Sequence, residues 1–230
     1  MSTVELYHGS MDSNGLKKIR RDLYNDIKCK ERQAVDFGPG FYLTPNILQA
    51  MEWSVRNNTD GSINYFQLNL NNLNVLNFDP KQTHPLHWIA EIIYNRKFKF
   101  ISSKNYNWII NNWKINTDIY DIIVGYTIDD QYFSMFKDFL DNRLSFTGLC
   151  KTMLFGDLSY QYVVRTNNGY DHLSDILDYE IVYKKEFYQN ALKRRDLALK
   201  NYEFIKLEHN NIKSNELFFS TMIDEKISKR

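Results

Sequence analysis

The chain carries only two cysteines in 230 residues, Cys29 and Cys150, far apart and without metal-like spacing. That excludes a disulfide framework and a cysteine-based zinc site, and it fits a reducing compartment. Prolines number four and glycines nine. No repeat or low-complexity tract stands out beyond an excess of asparagine. No apolar run is long enough to span a bilayer. The stretch Met1-Ser2-Thr3-Val4-Glu5-Leu6 lacks the apolar core of a signal peptide. A cytoplasmic protein with no membrane contact is therefore expected. An excess of charge of one sign is missing too: 29 Lys and Arg stand against 28 Asp and Glu. No global field draws such a chain to nucleic acid or membrane.

What is present suits a soluble globular protein, with 43% hydrophobic and 25% charged residues. The length fits one large domain, or a domain with an appendage, and can bury a sizeable core. The 16 Tyr, 15 Phe and 4 Trp, like the asparagines, are explained by a base-composition bias in the source genome more simply than by function. Two basic clusters, Lys17-Lys18 with Arg20-Arg21 and Lys193-Arg194-Arg195, read as solvated helix faces, with phosphate binding as the alternative.

Along the chain, Val4–Tyr7 reads as a short strand that stops at His8-Gly9-Ser10. Leu16–Lys30 reads as loop with some helix, and 40–43 as a strand. Asn46–Val55, opened by Pro45, has helical spacing. Strands are expected over Ile63–Leu70, Val75–Phe78, Tyr120–Thr127 and Tyr160–Arg165. Helices are expected over Leu86–Arg96, Tyr106–Trp113 and Tyr132–Leu140. Beyond about Asp178 the texture becomes densely charged, and Glu180–Lys206 and Glu216–Ile227 read as helices. The pattern is α+β, without the regular strand–helix alternation of a doubly wound sheet. We divide it into residues 1–178 and a helical C-terminal extension, 179–230.

The stretch Asp36-Phe37-Gly38-Pro39-Gly40-Phe41-Tyr42-Leu43-Thr44 is the strongest local signal. Two glycines and a proline lead into an aromatic strand. Glycine lets a backbone approach a ligand, and proline fixes the turn between them. An aromatic just past such a turn can offer its face to a planar ligand. Two further features are weak alone. His8 beside Gly9 joins a donor–acceptor ring to an accessible backbone. Gln161 is a polar residue among the bulky neighbours of Tyr160-Gln161-Tyr162-Val163-Val164. Their bland readings are a structural histidine and an outward-facing edge position.

Together the three blocks resemble the ADP-ribosyltransferase superfamily, in its His-Tyr-Glu branch. There the blocks read His-Gly-Ser/Thr, Gly-x-Gly-Ile-Tyr-Phe-Ala and Asn-Glu-Tyr-Val-Val. Within it, the chain is similar to a family of bacterial proteins of unknown function. The matching blocks here are Leu6-Tyr7-His8-Gly9-Ser10, Asp36 to Thr44, Ala50-Met51-Glu52-Trp53, Tyr120-Asp121 to Gly125, Asp129-Asp130 and Gln161. They cover roughly residues 4–176 and leave the C-terminal extension outside.

The resemblance implies a split, NAD-binding β-core surrounded by helices. NAD is then the substrate. His8 would bond a ribose hydroxyl, with Ser10 beside it, and the backbone of Gly9 would hold the nicotinamide carboxamide. Gly40 would let the chain approach, Tyr42 would stack on the nicotinamide, and Trp53 would supply the opposite wall. Aromatic faces suit that cationic ring. Two departures follow. Ala50 stands where the polymerases have a serine on the carboxamide. Gln161 stands where the transferases carry a glutamate that stabilises an oxocarbenium-like state. Glutamine accepts a hydrogen bond but has no charge and cannot act as a base. Losing charge assistance costs about 1–2 kcal/mol, and losing a well-placed electrostatic group about 3–4 kcal/mol.

The function expected from the resemblance is mono-ADP-ribosyl transfer from NAD to a protein or nucleic acid. Hydrolysis of NAD by water and a catalytically impaired NAD- or ADP-ribose-binding module are the alternatives. By fold-level analogy such a protein is a bacterial toxin, and its C-terminal helices would meet an antitoxin or regulatory protein. Glu91, Asp129 and Asp130 are the carboxylates that would compensate for Gln161, with a helix cap as the plainer reading of the aspartates. Asn95-Arg96 would be a weaker pyrophosphate contact. His84 and His87 lack a third ligand nearby and are not read as a metal site.

Overall fold

A computed structural model describes residues 3–13, 35–99, 101–126, 133–153, 160–210 and 216–225. Two sheets form the centre. The first has the order β1 (Thr3–Ser10), β3 (Gly61–Asn69), β7 (Leu173–Val182), all antiparallel. The second has the order β2 (Phe41–Leu43), β6 (Tyr160–Val164), β5 (Ile122–Tyr126), β4 (Val75–Asn77). Its β4–β5 pair is parallel and its other pairs antiparallel. The architecture is α+β, as the sequence pattern implies.

Strand alternation decides what each face touches. Leu6, Phe66 and Leu68 of the first sheet meet Phe41, Leu43, Ile122, Val124 and Val164 of the second, forming the core between the sheets. The opposite face of the second sheet, with Leu76, Ile123 and Val163, packs on the main helical core. That core is built by α2 (Pro85–Arg96), α3 (Ser103–Trp113), α4 (Phe133–Leu140) and α5 (Phe146–Met153). A smaller helix, α1 (Ile47–Ser54), is capped by Asn46, whose side chain accepts from the N–H groups of Leu48 and Gln49. It covers the outer face of β1 and β3 through Ala50.

The chain ends in α6 (Asn167–Asp171), β7, α7 (Lys184–Glu208) and α8 (Phe219–Asp224). The division at residue 178 falls inside β7. Tyr202 of α7 and Phe219 and Met222 of α8 are buried in the same core as α2 and α4. Asp138 on α4 fixes α7. It accepts from Tyr202 Oη at 2.5 Å, and pairs with Lys206 and Arg143, each at 2.8 Å. Buried and surrounded this way, Asp138 is held below the usual carboxylate range. Burial opposes its charge, but Lys206, Tyr202 and Arg143 outweigh burial.

Four elements differ from the sequence reading, one of them the short helix α6. β1 continues through His8 and Gly9, because pairing with β3 persists to Ser10 opposite Ser62. β7 was not expected as a strand: its apolar residues break alternation, and its pairing with β3 carries register shifts. α5 was also not expected, since Thr147, Gly148 and Thr152 are poor helix formers. Gly148 is there because a Cβ would lie 2.6 Å from the His209 side chain.

Candidate functional site

The Gly38-Pro39-Gly40 turn is built on α2. Asp36 is 3% exposed and receives Arg96 Nε at 2.9 Å and Nη2 at 2.8 Å. Asn95 Nδ2 donates to the Asp36 carbonyl at 3.2 Å and to Glu91. Gly38 has φ +74°, a left-handed conformation that favours glycine. Phe37 lies over Gly125, where a Cβ would sit 2.5 Å from its ring. With both ends fixed, the turn anchors Tyr42. The Tyr42 hydroxyl donates to Gly38 O at 2.7 Å and accepts from Phe37 N at 3.1 Å. Burial, reinforced by the Asp36 carboxylate, pushes this phenol well above its ordinary range, so it stays neutral.

The two sheets meet at one bridge. Tyr7 N donates to Thr44 O at 2.8 Å, and Thr44 N to Tyr7 O at 2.9 Å. In an antiparallel ladder the next exchange would join Gly9 and Tyr42, two residues on. It does not form. The Tyr42 carbonyl instead meets His8 Nδ1 at 2.8 Å. A carbonyl only accepts, so Nδ1 carries the proton. Gly9 has the same parity as Tyr7, so its N–H and C=O point away from β3 toward this opening seam. Neither has a hydrogen-bond partner among the described residues. The sheets thus split to leave one donor and one acceptor of a single glycine beside Tyr42.

Glycine is also required at position 9 by packing, because a Cβ would stand 2.0 Å from the Ala50 carbonyl oxygen of α1. Gly40 is required by β6, with Val163 Cγ1 at 2.5 Å from a built Cβ. Ser10 closes β1, and its Oγ accepts from Asp12 N at 3.2 Å. Gln161 lies opposite Gly125, and Val163 opposite both Ile123 and Tyr42. Gln161 therefore shares one sheet face with Val163 and Tyr42, and it is partly exposed. Trp53 is half exposed on α1, with the Arg56 guanidinium 3.9 Å from its ring centroid. One face of its ring meets Arg56.

Several other residues singled out in the sequence are occupied structurally. Glu91 is 1% exposed and pairs with Lys114 at 2.7 Å. It is not available to stand in for a glutamate at position 161. Arg96 is held by Asp36. His84 caps α2 by accepting from Leu86 N and stacks on Trp113, and His87 Nδ1 meets Trp113 O at 2.6 Å. Burial, with His87 nearby, lowers the His84 pKa below its usual value. Asp129, Asp130, Cys29 and the Lys17–Arg21 cluster lie outside the described residues. One residue at the seam escaped the sequence reading. Asn64 is fully buried opposite His8, its Nδ2 donates to His8 O at 3.1 Å, and its Oδ1 has no partner. Its signal was legible: an asparagine at the parity of Phe66 and Leu68, on the inner face.

Residues 4–174 match a family model described as "Protein of unknown function (DUF3990)". The chain belongs to this family. The match begins in β1 and ends in β7, so both sheets and the seam between them lie within the family's domain. No curated protein and no solved structure matches the chain.

Proposed function

We propose that this protein is an ADP-ribosyltransferase that moves ADP-ribose from NAD to a macromolecular acceptor. The observation that carries the reading is the N–H and C=O of Gly9, which face the seam beside Tyr42 and have no partner among the described residues. A primary carboxamide needs one donor and one acceptor, and nicotinamide presents such a group on an aromatic ring. In this reading the Tyr42 ring, held by its hydroxyl, stacks on that ring. His8, donating through Nδ1 to Tyr42 O, would meet a ribose hydroxyl from the end of β1. The active-site seam then excludes competing geometry because both partners of the clamp are fixed before ligand arrives.

In this reading the glycosidic bond to nicotinamide breaks first, and an acceptor nucleophile takes the resulting cation. Gln161, on the Tyr42 face, orients the ribose through its amide oxygen without supplying charge. Labelled NAD, incubated with the protein and a cell lysate, tests the reading. Release of nicotinamide with label on protein or nucleic acid is expected, and Tyr42→Ala abolishes both. Label found only as free ADP-ribose would instead make the protein a glycohydrolase. No nicotinamide release, with Tyr42→Ala indistinguishable from the parent, would end the proposal.

Gln161 itself favours a second reading, a module that binds NAD or ADP-ribose with little turnover. Gln161→Glu separates the two. A gain of roughly a hundredfold, the scale of one preorganised electrostatic group, marks a degraded catalytic site. A loss marks glutamine as the working residue.

A further inference from the structure

On the far side of the Gly38-Pro39-Gly40 turn lies a cavity of about 790 Å³, lined by Pro39, Tyr94, Asn95, Lys114, Asn116 and Arg165 among others. That volume is in the range of small-molecule sites, roughly 300–1,000 Å³. Its two cations differ. Lys114 spends its donors on Glu91 Oε2 at 2.7 Å, Ile115 O at 2.7 Å and Thr117 Oγ1 at 3.4 Å. Arg165 spends one, on Thr117 O at 2.8 Å. Asp118, which also lines the cavity, pairs with it at 3.6 Å but is 87% exposed, a long and solvated contact that cancels little of its charge. The guanidinium therefore offers the cavity a positive charge and N–H donors to spare.

The rest of the lining is matched to a planar heterocycle. Tyr94 keeps 45% of its surface exposed with Lys114 Nζ 4.8 Å from its ring centroid on one face, and Pro39 stands as a second apolar wall. Asn95 commits its Nδ2 to Asp36 and Glu91, and its Oδ1 accepts from no described group. Asn116 is the reverse: its Oδ1 accepts from Asp118 N at 3.1 Å, and its Nδ2 has no described partner. An amide acceptor, an amide donor, an aromatic wall and an arginine whose ion pair is long and solvated therefore line one space. We propose that this cavity binds a nucleoside monophosphate, with the phosphate on Arg165 and the base against Tyr94 and the two asparagine amides. The same chemistry is presented by a free mononucleotide and by the 5′-phosphorylated end of a nucleic-acid strand.

The cavity adjoins the clamp without belonging to it. Asn95 and Pro39 line it, and Gly38, between them in the turn network, accepts from the Tyr42 hydroxyl. A ligand there would press on the turn that holds Tyr42. That coupling rests on the NAD reading; the binding of a nucleotide does not.

The test is calorimetric titration of the full chain with AMP. Binding is expected, weakened about tenfold or more by Arg165→Gln, less by Arg165→Lys, and severalfold by Tyr94→Leu. Tyr94 is at the rim, so its variant keeps the test open if loss of the Arg165–Thr117 bond impairs folding, which thermal melting reports. Trp53→Ala and Gln161→Ala should leave AMP binding unchanged. Displacement of AMP by a 5′-phosphorylated tetranucleotide at lower concentration would name a strand end as the source. Failure to displace would name the free nucleotide. The proposal is overturned if AMP does not bind at millimolar concentration, if both cavity variants bind as the parent does, or if Trp53→Ala or Gln161→Ala abolishes binding, which would put AMP in the seam. Failure of the NAD reading has a different signature: AMP titrates normally and NAD produces no nicotinamide.

Discussion

Tyr42→Phe removes one oxygen and leaves the ring, so it separates the anchor from the clamp. In the parent, that oxygen accepts from Phe37 N at 3.1 Å and donates to Gly38 O at 2.7 Å. Phe37 is fully buried, so its N–H has no water to turn to. An orphaned buried polar group costs about 1–3 kcal/mol. Gly38 is buried too, but a carbonyl short of one donor is tolerated better than an orphaned N–H. A total of about 2 kcal/mol is expected, which for a chain of this size lowers Tm by roughly 4–8 °C. Differential scanning calorimetry measures the stability. NAD titration measures the clamp, where Tyr42→Phe should weaken binding only through a looser turn and Tyr42→Ala should abolish it. An unchanged Tm for Tyr42→Phe would show that the hydroxyl does not hold the turn. Equal loss of NAD binding in both variants would refute stacking as the ring's role.

Gly9→Ala would drive a Cβ to 2.0 Å from the Ala50 carbonyl. Overpacking of this kind costs about 1–3 kcal/mol or more, so soluble yield and Tm should fall sharply, whereas Ser10→Ala should be near neutral in the same melt. Arg96→Ala removes the charge-assisted hydrogen bonds that the buried Asp36 carboxylate receives from Arg96, a loss of about 1.5–3 kcal/mol that urea unfolding should register as a shifted midpoint with unchanged slope. Asp138 has a depressed folded pKa. Its stabilisation is therefore complete above the ordinary carboxylate value of 3.8 and is lost as pH falls through the lower folded value. Acid titration followed by circular dichroism should show α7 loosening in that window, and Asp138→Asn should be destabilised at neutral pH with a flatter acid limb.

Strands that alternate cleanly and helices with stop signals were legible in the sequence. The expected Asn46–Val55 and Leu86–Arg96 begin within a residue of α1 and α2, although Pro45, expected to open α1, stands one residue before the Asn46 cap. β7 was not legible, because Leu173–Val182 is a strand only through its pairing with β3, a long-range partner that local pattern does not encode. α5 depends on tertiary packing in the same way, with Gly148 chosen by the His209 contact rather than by helix propensity. At the site, the turn motif pointed to Tyr42 and the strand end to His8 and Gly9. What the sequence could not carry was their meeting: the Tyr7–Thr44 bridge, the handover of Tyr42 O to His8, and the open backbone of Gly9 that results. The buried pairing of Glu91 with Lys114 was equally invisible, since an acidic residue on an amphipathic helix reads the same whether it faces solvent or a lysine across the core.

The account's central claim is that the seam between β1 and β2 holds the nicotinamide end of NAD. Equilibrium titration of the full chain with NAD, repeated in the presence of excess nicotinamide, tests it most directly. The account predicts saturable binding that nicotinamide competes away and that His8→Ala and Tyr42→Ala each remove, with both variants folded. Absence of NAD binding, or binding indifferent to nicotinamide and to both substitutions, would contradict it.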